Sequence, residues 1–371
     1  MTVVKSYTGS NQTFVVPSGV TTINFIAWGA AGGGGNTSYG GGGGFIEGDV
    51  TVVPTETLNV KVGGGGGIAH GGNSNAGGGG GGTGIYRSTT VLAIAGAGAG
   101  GENNIHGVAG GGTTGANGNL AAGSIPANGG TQVAGGAAVL GGGAGSLNQG
   151  GSLPSSASTA AGGYNGGGSG DGDNVTYTGG GGGGGYYGGG SSGDGAHHGS
   201  GAGGSSLTAG TNTQGSAGTV ANAGHANYAS STGNGVTGAI GQHGNAVIKY
   251  TPVTINDLTL VSNQTASTEG SGEATPTSAD IVILIEDVVG SAAVNTNVKA
   301  YIGQSANATP VYTAAVTLVD EGLWGTGKRI FAARGISTSA LSGTNMNYKI
   351  ETLVQSGSME TRIHATSLAW A

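Results

Sequence analysis

Short segments rich in β-branched and aromatic residues recur through the first 250 residues, and runs of glycine separate them. Within these segments hydrophobic and polar positions alternate, which is typical of strands and not of amphipathic helices. We predict strands at Gln12–Val16, Val20–Trp28, Phe45–Val53, Thr57–Val62, Thr90–Ala95 and Ala246–Tyr250. This part of the chain is therefore predicted to be all-β, with unusual connections.

The pattern beyond residue 251 contains longer alternating segments and little glycine. The predicted strands are Ile281–Ile285, Val298–Ile302, Val311–Val319, Lys328–Ala333, Met346–Val354 and Thr361–Trp370. About seven strands at this spacing are typical of an antiparallel β-sandwich. Residues 252–371 are therefore predicted to form a β-sandwich.

Glycine content divides the chain near residue 250, because 80 of the 90 glycines precede it, in runs such as Gly77–Gly82 and Gly179–Gly185. Collagen is excluded, since it needs a strict Gly-X-Y period and abundant proline, and the chain has only 7 prolines. Disordered linkers are normally polar and charged, whereas residues 1–250 contain four basic and seven acidic residues. We therefore predict an ordered glycine-rich domain over residues 1–251.

A glycine run can be ordered as the extended polyglycine II helix, which has three residues per turn and no internal hydrogen bonds. Its amide groups must then find partners in neighbouring segments. Without Cβ atoms, several such helices can pack in direct backbone contact. The first domain is therefore predicted to combine β-strands with a polyglycine bundle that projects loops from its ends, and the whole chain to be all-β with polyglycine II helices.

Several motifs of the first domain resemble known families. Phe14–Val20, Ile23–Ala30, Pro54–Gly63 and Gly244–Tyr250 look like the glycine-rich domains of phage and bacterial surface proteins. A similar pattern occurs in the extracellular glycine-rich domain of the anaplastic lymphoma kinase group. In T-even-like phages, tail-fibre adhesins hold variable receptor-binding loops on packed polyglycine helices. The resemblance implies a display scaffold, although the connecting strands differ from those adhesins.

The second domain has a separate resemblance. Its segments Asn295–Ile302, Leu318–Gly322, Ser342–Leu353 and Ile363–Trp370 resemble the C-terminal β modules of tailed-phage virion and tail-fibre proteins. Together the two resemblances imply a phage virion fibre or tail-fibre adhesin that attaches to the host cell. They also imply that the β-sandwich of residues 252–371 is a virion-attachment or receptor-binding module. The alternative is a structural virion protein, such as a capsid decoration, a head fibre or a tail component.

Enzymatic functions are disfavoured. Residues Gly322–Lys328 match most of a phosphate-binding loop, but Arg329 replaces the Ser or Thr that would hold Mg²⁺. A polysaccharide depolymerase needs paired carboxylates in a groove, and acidic residues are sparse. Ice binding would call for regular rows of threonine, which the sequence lacks. We predict no enzymatic activity and no cofactor.

Polar and aromatic residues in the glycine-rich loops are candidate receptor contacts, because aromatic rings stack while carboxylate and imidazole groups hydrogen-bond. The candidates are Tyr164, Tyr186, Tyr187, Asp194, His197, His198 and Trp324. Packing of the tyrosines over glycine helices is the alternative. Trp28 and Trp370 are predicted to pack, whereas Trp324 is predicted to lie in a Gly-Leu-Trp-Gly turn. Asp171 and Asp173 alternate as in a calcium loop, yet the complete pattern is absent, so a turn is favoured and ion binding stays open.

The remaining histidines, His70, His106, His225 and His243, are predicted to be loop or surface residues without a shared metal. The formal charge of −7 without a basic stripe argues against nucleic-acid binding. Met1–Lys5 leads directly into a strand-like segment, so we expect neither a signal peptide nor a membrane span.

The expected location is the virion, in the tail fibre, tail tip or capsid surface, after synthesis in the host cytoplasm. Expected partners are other tail or capsid proteins, further copies of the chain with a trimer as the family expectation, and a glycan or protein receptor on the host. The sequence leaves open the receptor, the copy number and which domain faces the virion.

Overall fold

The structure is a computed structural model, and it describes all residues except 72–73, 121–125, 140, 154–158, 172–178, 193–198, 264, 267–274, 307–308 and 358. The described residues form strands, turns and extended segments, all-β and without a helix, so no described helix is long and apolar enough to cross a membrane. The chain divides into two compact units. Unit 1 contains Met1–Val16 and Val20–Thr251, and unit 2 contains Pro17–Gly19 and Pro252–Ala371.

Unit 1 contains two larger antiparallel sheets and two short hairpin-like pairs. Its strands are β1 (Thr2–Ser6), β2 (Gln12–Val15), β3 (Thr22–Trp28), β4 (Phe45–Thr51), β5 (Thr57–Lys61), β6 (Ile68–Gly71), β7 (Ser74–Gly77), β8 (Thr83–Arg87), β9 (Thr90–Ala95), β10 (Thr159–Ala160), β11 (Gly170–Asp171), β12 (Thr211–Thr213) and β13 (Asn245–Lys249). The sheet orders are β1-β13-β3-β4-β12 and β2-β5-β8-β9, and β6 pairs with β7 and β10 with β11. All six strands that the sequence predicts in this unit are present.

The central strand β3 is buried on both faces. Ile23 and Phe25 lie in the core that includes residues of β2, β5 and β8, whereas Ile26 and Trp28 pack in a second cluster with Phe45. A strand buried on both faces reads as a nearly continuous apolar run. This explains why β3 shows little alternation near its end.

The glycine segments of unit 1 lie almost entirely outside the strands and bond laterally to several other segments of the chain. In segment 77–82, the first three N–H groups donate in turn to segments 96–101, 63–67 and 163–168. The next three N–H groups donate to the same segments in the same order. The donor–acceptor pairs, at 2.8 to 3.0 Å, are Gly77–Gly101, Gly78–Gly67, Gly79–Gly168, Gly80–Gly98, Gly81–Gly64 and Gly82–Asn165. The partner segment therefore recurs every third residue.

Segment 29–34 repeats this pattern with a different set of neighbours, 41–44, 78–81 and 239–242. Its pairs, at 2.9 to 3.1 Å, are Gly29–Gly44, Ala30–Gly81, Ala31–Gln242, Gly32–Gly41, Gly33–Gly78 and Gly34–Ala239. A strand in a sheet bonds to at most two neighbours, whereas this segment donates in three directions. Lateral bonding thus satisfies the backbone donors of a segment that makes no hydrogen bonds within itself.

Glycine is required in these segments because of space. A Cβ added at Gly33 would lie 2.0 Å from the carbonyl oxygen of Gly67, and one at Gly41 would lie 1.8 Å from that of Val108. Neither glycine has a left-handed φ, so the backbone conformation alone would tolerate a side chain. By contrast, a Cβ at Gly224 would meet nothing within 4 Å.

Unit 2 is sandwich-like, with two antiparallel sheets that contribute to one core. Its strands are β14 (Thr259–Val261), β15 (Thr265–Ala266), β16 (Ser278–Val289), β17 (Val298–Ser305), β18 (Val311–Tyr312), β19 (Val319–Gly325), β20 (Lys328–Ser337), β21 (Asn345–Thr352) and β22 (Glu360–Trp370). The sheet orders are β14-β21-β17-β18, with β15 also on β21, and β19-β20-β16-β22. Ile281 and Ile283 of β16 share the core with Ile302 of β17 and Ile350 of β21.

Two local predictions for unit 2 are wrong. The predicted strand Val311–Val319 is divided into β18, which ends at Tyr312, and β19, which begins at Val319. Trp324 lies in β19 instead of in a turn, and the turn follows at residues 326–327. Gly322, with φ 107°, allows this because it lies within a register shift between Asp320 and Leu323, where the extra residues are absorbed as a bulge.

Candidate functional site

The glycine segments of unit 1 end in two groups of connections. One group lies beside the sheets and is called the strand end. It contains residues 131–134, 146–149, 164–166 and 186–187. Its position follows from the bond between Gly82, directly before β8, and Asn165, and from the bonds between Ile94 of β9 and Leu207. We name as the loop end the opposite group, residues 35–39, 101–107, 118–120, 171, 192 and 199.

Hydrogen bonds join the described parts of the loop end into one surface. The Thr37 N–H donates to the Asn103 carbonyl at 2.9 Å, and the Asn119 N–H donates to Ser200 Oγ at 2.9 Å. The Asn119 side chain also donates to the carbonyl of His106 at 3.2 Å. Connections that are far apart in sequence therefore lie side by side.

Tyr39 and His106 form the aromatic centre of this surface. The Tyr39 ring is 44% exposed, and its centroid lies 5.0 Å from that of His106 at an angle of 30°. The Tyr39 N–H donates to Nδ1 of His106 at 3.1 Å, and the Tyr39 carbonyl accepts from Gly107 at 2.8 Å. These bonds fix the backbone of Tyr39, and the contact with His106 restricts the ring.

The three candidate tyrosines lie at the strand end. Tyr164 donates its hydroxyl to Asn11 at 2.9 Å and packs edge-on against Tyr7, and burial together with Tyr7 raises its pKa. Tyr186 and Tyr187 pack edge to face at 5.2 Å. Their backbones bond to Ser205, and the Tyr186 carbonyl accepts from Asn148. Tyr186 also lines a cleft of about 290 Å³ with residues of β9 and the 146–149 turn.

The acidic and histidine candidates are only partly described. Asp173, Asp194, His197 and His198 lie outside the described residues. The residues that flank the 193–198 segment, Ser192 and Gly199, bond to each other at the loop end. Asp171 is buried and pairs through its backbone with Thr159 and Gly179. Within the described ranges, no three His, Cys, Asp or Glu side chains are grouped as a metal site would need.

Trp324, the candidate in unit 2, is 40% exposed. Lys328 Nζ lies 4.8 Å from its ring centroid, and His364 contacts it edge-on at 5.4 Å. His364 also bonds to Glu286 at 2.8 Å, and this bond lowers the pKa of the Glu286 carboxyl. The neighbouring Leu323 is 70% exposed, so β19 presents apolar side chains to solvent.

Two histidines predicted as loop or surface residues take part in packing. His225 lies against the rings of Trp28 and Phe45 at 5.6 and 5.3 Å. His243 is exposed at one edge but stacks on Tyr7 at 3.8 Å, and desolvation lowers its pKa. Both residues thus stabilise turns of unit 1.

Within unit 1, Lys and Arg residues occur only in strands. The basic residues of residues 1–251 are Lys5, Lys61, Arg87 and Lys249, and they lie in β1, β5, β8 and β13. No connection at the loop end contains a Lys or Arg in its sequence. This surface is therefore aromatic and amide-rich, without a cation.

No protein-family model matches the sequence, and no curated protein matches it. A function must therefore be argued from the geometry of the two units.

Proposed function

We propose that the protein is a non-enzymatic adhesin on the surface of a phage virion, in a tail fibre or tail tip. Unit 1 displays host-recognition loops on a bundle of polyglycine II helices, and unit 2 attaches the protein to other virion proteins or to further copies of the chain. The observation that carries the proposal is the lateral bonding of the glycine segments, which gathers distant connections at the loop end.

The period of three supports the assignment of polyglycine II. This helix has three residues per turn and bonds only to its neighbours, so its N–H groups point to the same neighbour at every third residue. Segments 77–82 and 29–34 both follow this rule. Close packing is the second argument. A Cβ added at Gly33 or Gly41 would lie about 2 Å from a carbonyl oxygen, so these segments can pack this closely only if they have no side chains.

In a scaffold of this kind, backbone groups stabilise the fold and side chains of the connections bind the receptor. Its stability comes from backbone groups, so the connections are free to carry any side chain without disturbing the packing. Loops held by a rigid scaffold are where binding residues concentrate. The loop end fits that role, since its described part presents Tyr39 and several asparagine side chains to solvent.

Unit 2 is suited to attachment. Strand β19 lies at a sheet edge, and Val319, Leu323 and Trp324 on it are 58%, 70% and 40% exposed. Exposed apolar residues and unpaired strand edges favour contact with another protein. The same strand supports the second candidate function, a structural tail or capsid component, in which contacts with virion proteins would be the main role.

The absence of cysteine from the sequence allows a direct test. A single cysteine placed at exposed Asn104 of the loop end, or at Val133 of the strand end, which is 82% exposed, can be biotinylated and covered with streptavidin. The intact protein should bind candidate host cells saturably. Compared with the same variant without label, streptavidin on Asn104→Cys should block the binding that remains, and streptavidin on Val133→Cys should not.

Two results would count against the adhesin. Folded protein that binds no cell able to adsorb the phage would favour the structural role. Equal blocking at both positions would remove the loop end as the displayed surface.

A further inference from the structure

We infer that the loop end recognises a neutral glycan, and that Tyr39, Asn36, Asn104 and His106 form part of the contact surface. The inference rests on the proposed function, because it names the receptor class of that same surface. It depends on three independent features, which are a fixed aromatic ring, exposed amides and the distribution of charge.

The Tyr39 ring is ready to stack before any ligand arrives. Its backbone forms bonds with His106 and Gly107 and a bridge to Thr237. On one side the ring lies over Gly218, where an added Cβ would be 3.1 Å from the ring, and His106 tilts against it. A tyrosine held in this way gives up little conformational entropy on binding. Its exposed part suits the apolar face of a sugar ring.

Exposed amide side chains lie on the two loops that carry Tyr39 and His106. The bonds from Thr37 to Asn103 at 2.9 Å and from Asn103 to Asn75 at 2.8 Å tie these loops to each other and to β7. Asn36 and Asn104, which adjoin the tied residues, are exposed. A side-chain amide offers two donors and one acceptor, which matches the mixed donor and acceptor character of sugar hydroxyl groups.

The charge distribution then selects among glycans. Carboxylates, phosphates and sulfates are normally bound by Arg or Lys, and the four basic residues of residues 1–251 all lie in strands of the sheets. An acidic sugar at the loop end would therefore meet no cation of unit 1. A neutral sugar needs none.

The test uses the intact protein and host cells that bind it. Mild periodate, which cleaves the vicinal diols of sugars, should abolish binding, whereas protease treatment of the cells should not. Because no ion pair is involved, binding should change less than about twofold between about 50 and about 500 mM salt. Tyr39→Ala should weaken binding by about tenfold or more, and Tyr39→Phe, which keeps the ring, by less than about threefold.

Val133→Ala is the control, because it removes a side chain that is 82% exposed at the strand end, and it should leave binding unchanged. Asn104→Ala, at an exposed position, gives a second reading if Tyr39→Ala folds poorly, and it should also weaken binding. Loss of binding after protease but not after periodate, strong salt dependence, or equal binding by Tyr39→Ala and Val133→Ala would overturn the glycan assignment. Those results leave the adhesin intact, whereas failure of the full chain to bind cells contradicts the adhesin.

Discussion

Replacing Gly33 by alanine should destabilise unit 1 strongly, although alanine is conformationally acceptable there. The new Cβ would lie 2.0 Å from the Gly67 carbonyl oxygen, so the two backbones must separate by at least about 1 Å in an interior packed as densely as a crystal. That shift strains the bonds from Gly33 to Gly78 and from Gly101 to Gly33, both 2.9 Å long. No side chain can rotate away to relieve the clash.

The expected cost follows from these contacts. Overpacking costs about 1–3 kcal/mol, and weakening two hydrogen bonds costs about 1 kcal/mol each. Alanine returns about 0.4–1 kcal/mol, because it reduces the freedom of the unfolded chain. The net loss is therefore roughly 2–4 kcal/mol, a large share of the total stability of about 5–15 kcal/mol of an ordinary domain.

Gly224→Ala is the control, since nothing lies within 4 Å of its added Cβ, and it should stabilise by about 0.4–1 kcal/mol. Urea denaturation can be followed by the fluorescence of Trp28, which is fully buried in unit 1, after Trp324 and Trp370 are replaced by phenylalanine. If Gly33→Ala and Gly224→Ala unfold at the same urea concentration, the direct backbone contact between glycine segments is refuted.

Two further predictions concern ionisable groups. Burial raises the pKa of Tyr86 to about 12 from 10, so the folded state holds this proton more tightly and unit 1 should lose stability between pH 10 and about 12, and not below. Absorbance of tyrosinate should show a titration near pH 12 that Tyr86→Phe removes. In unit 2, Arg329 contacts Asp287 at 3.0 Å and Asp320 at 2.7 Å, and Arg329→Met should cost roughly 2 kcal/mol, because Asp287 keeps a mostly buried charge. Thermal denaturation should show a smaller loss for Arg329→Lys, and equal losses would contradict the ion-pair explanation.

The strands were predictable because their signal is local. Thr90–Ala95 has the observed bounds, and the predicted segment at Val20–Trp28 contains β3, since alternating apolar residues specify a strand without reference to partners. Strand β8 was not predicted, because Gly84 interrupts a short segment and glycine weakens a strand interior. In the structure Gly84 pairs with Lys61 and Ile94, so tertiary pairing overrides the local preference.

The neighbours of the glycine segments were not predictable. Segment 77–82 bonds to 63–67, which is close in sequence, but also to 163–168, and glycines offer no side chains that would mark one register over another. The aromatic centre of the loop end was also not predictable, because it depends on which glycine segments are neighbours. Tyr39 and His106 are separated by 67 positions, and only the folded segments bring them together.

The three-way bonding of the glycine segments also determines how unit 1 resists force. When one segment is pulled along its axis, its bonds lie across the direction of pull, so they are loaded in shear and must fail together. Segment 77–82 would have to slide past three neighbours at once, while an edge strand slides past one. Tension applied to such a bundle is therefore spread over many short bonds in every direction, and the bundle should behave as a stiff, nearly inextensible rod.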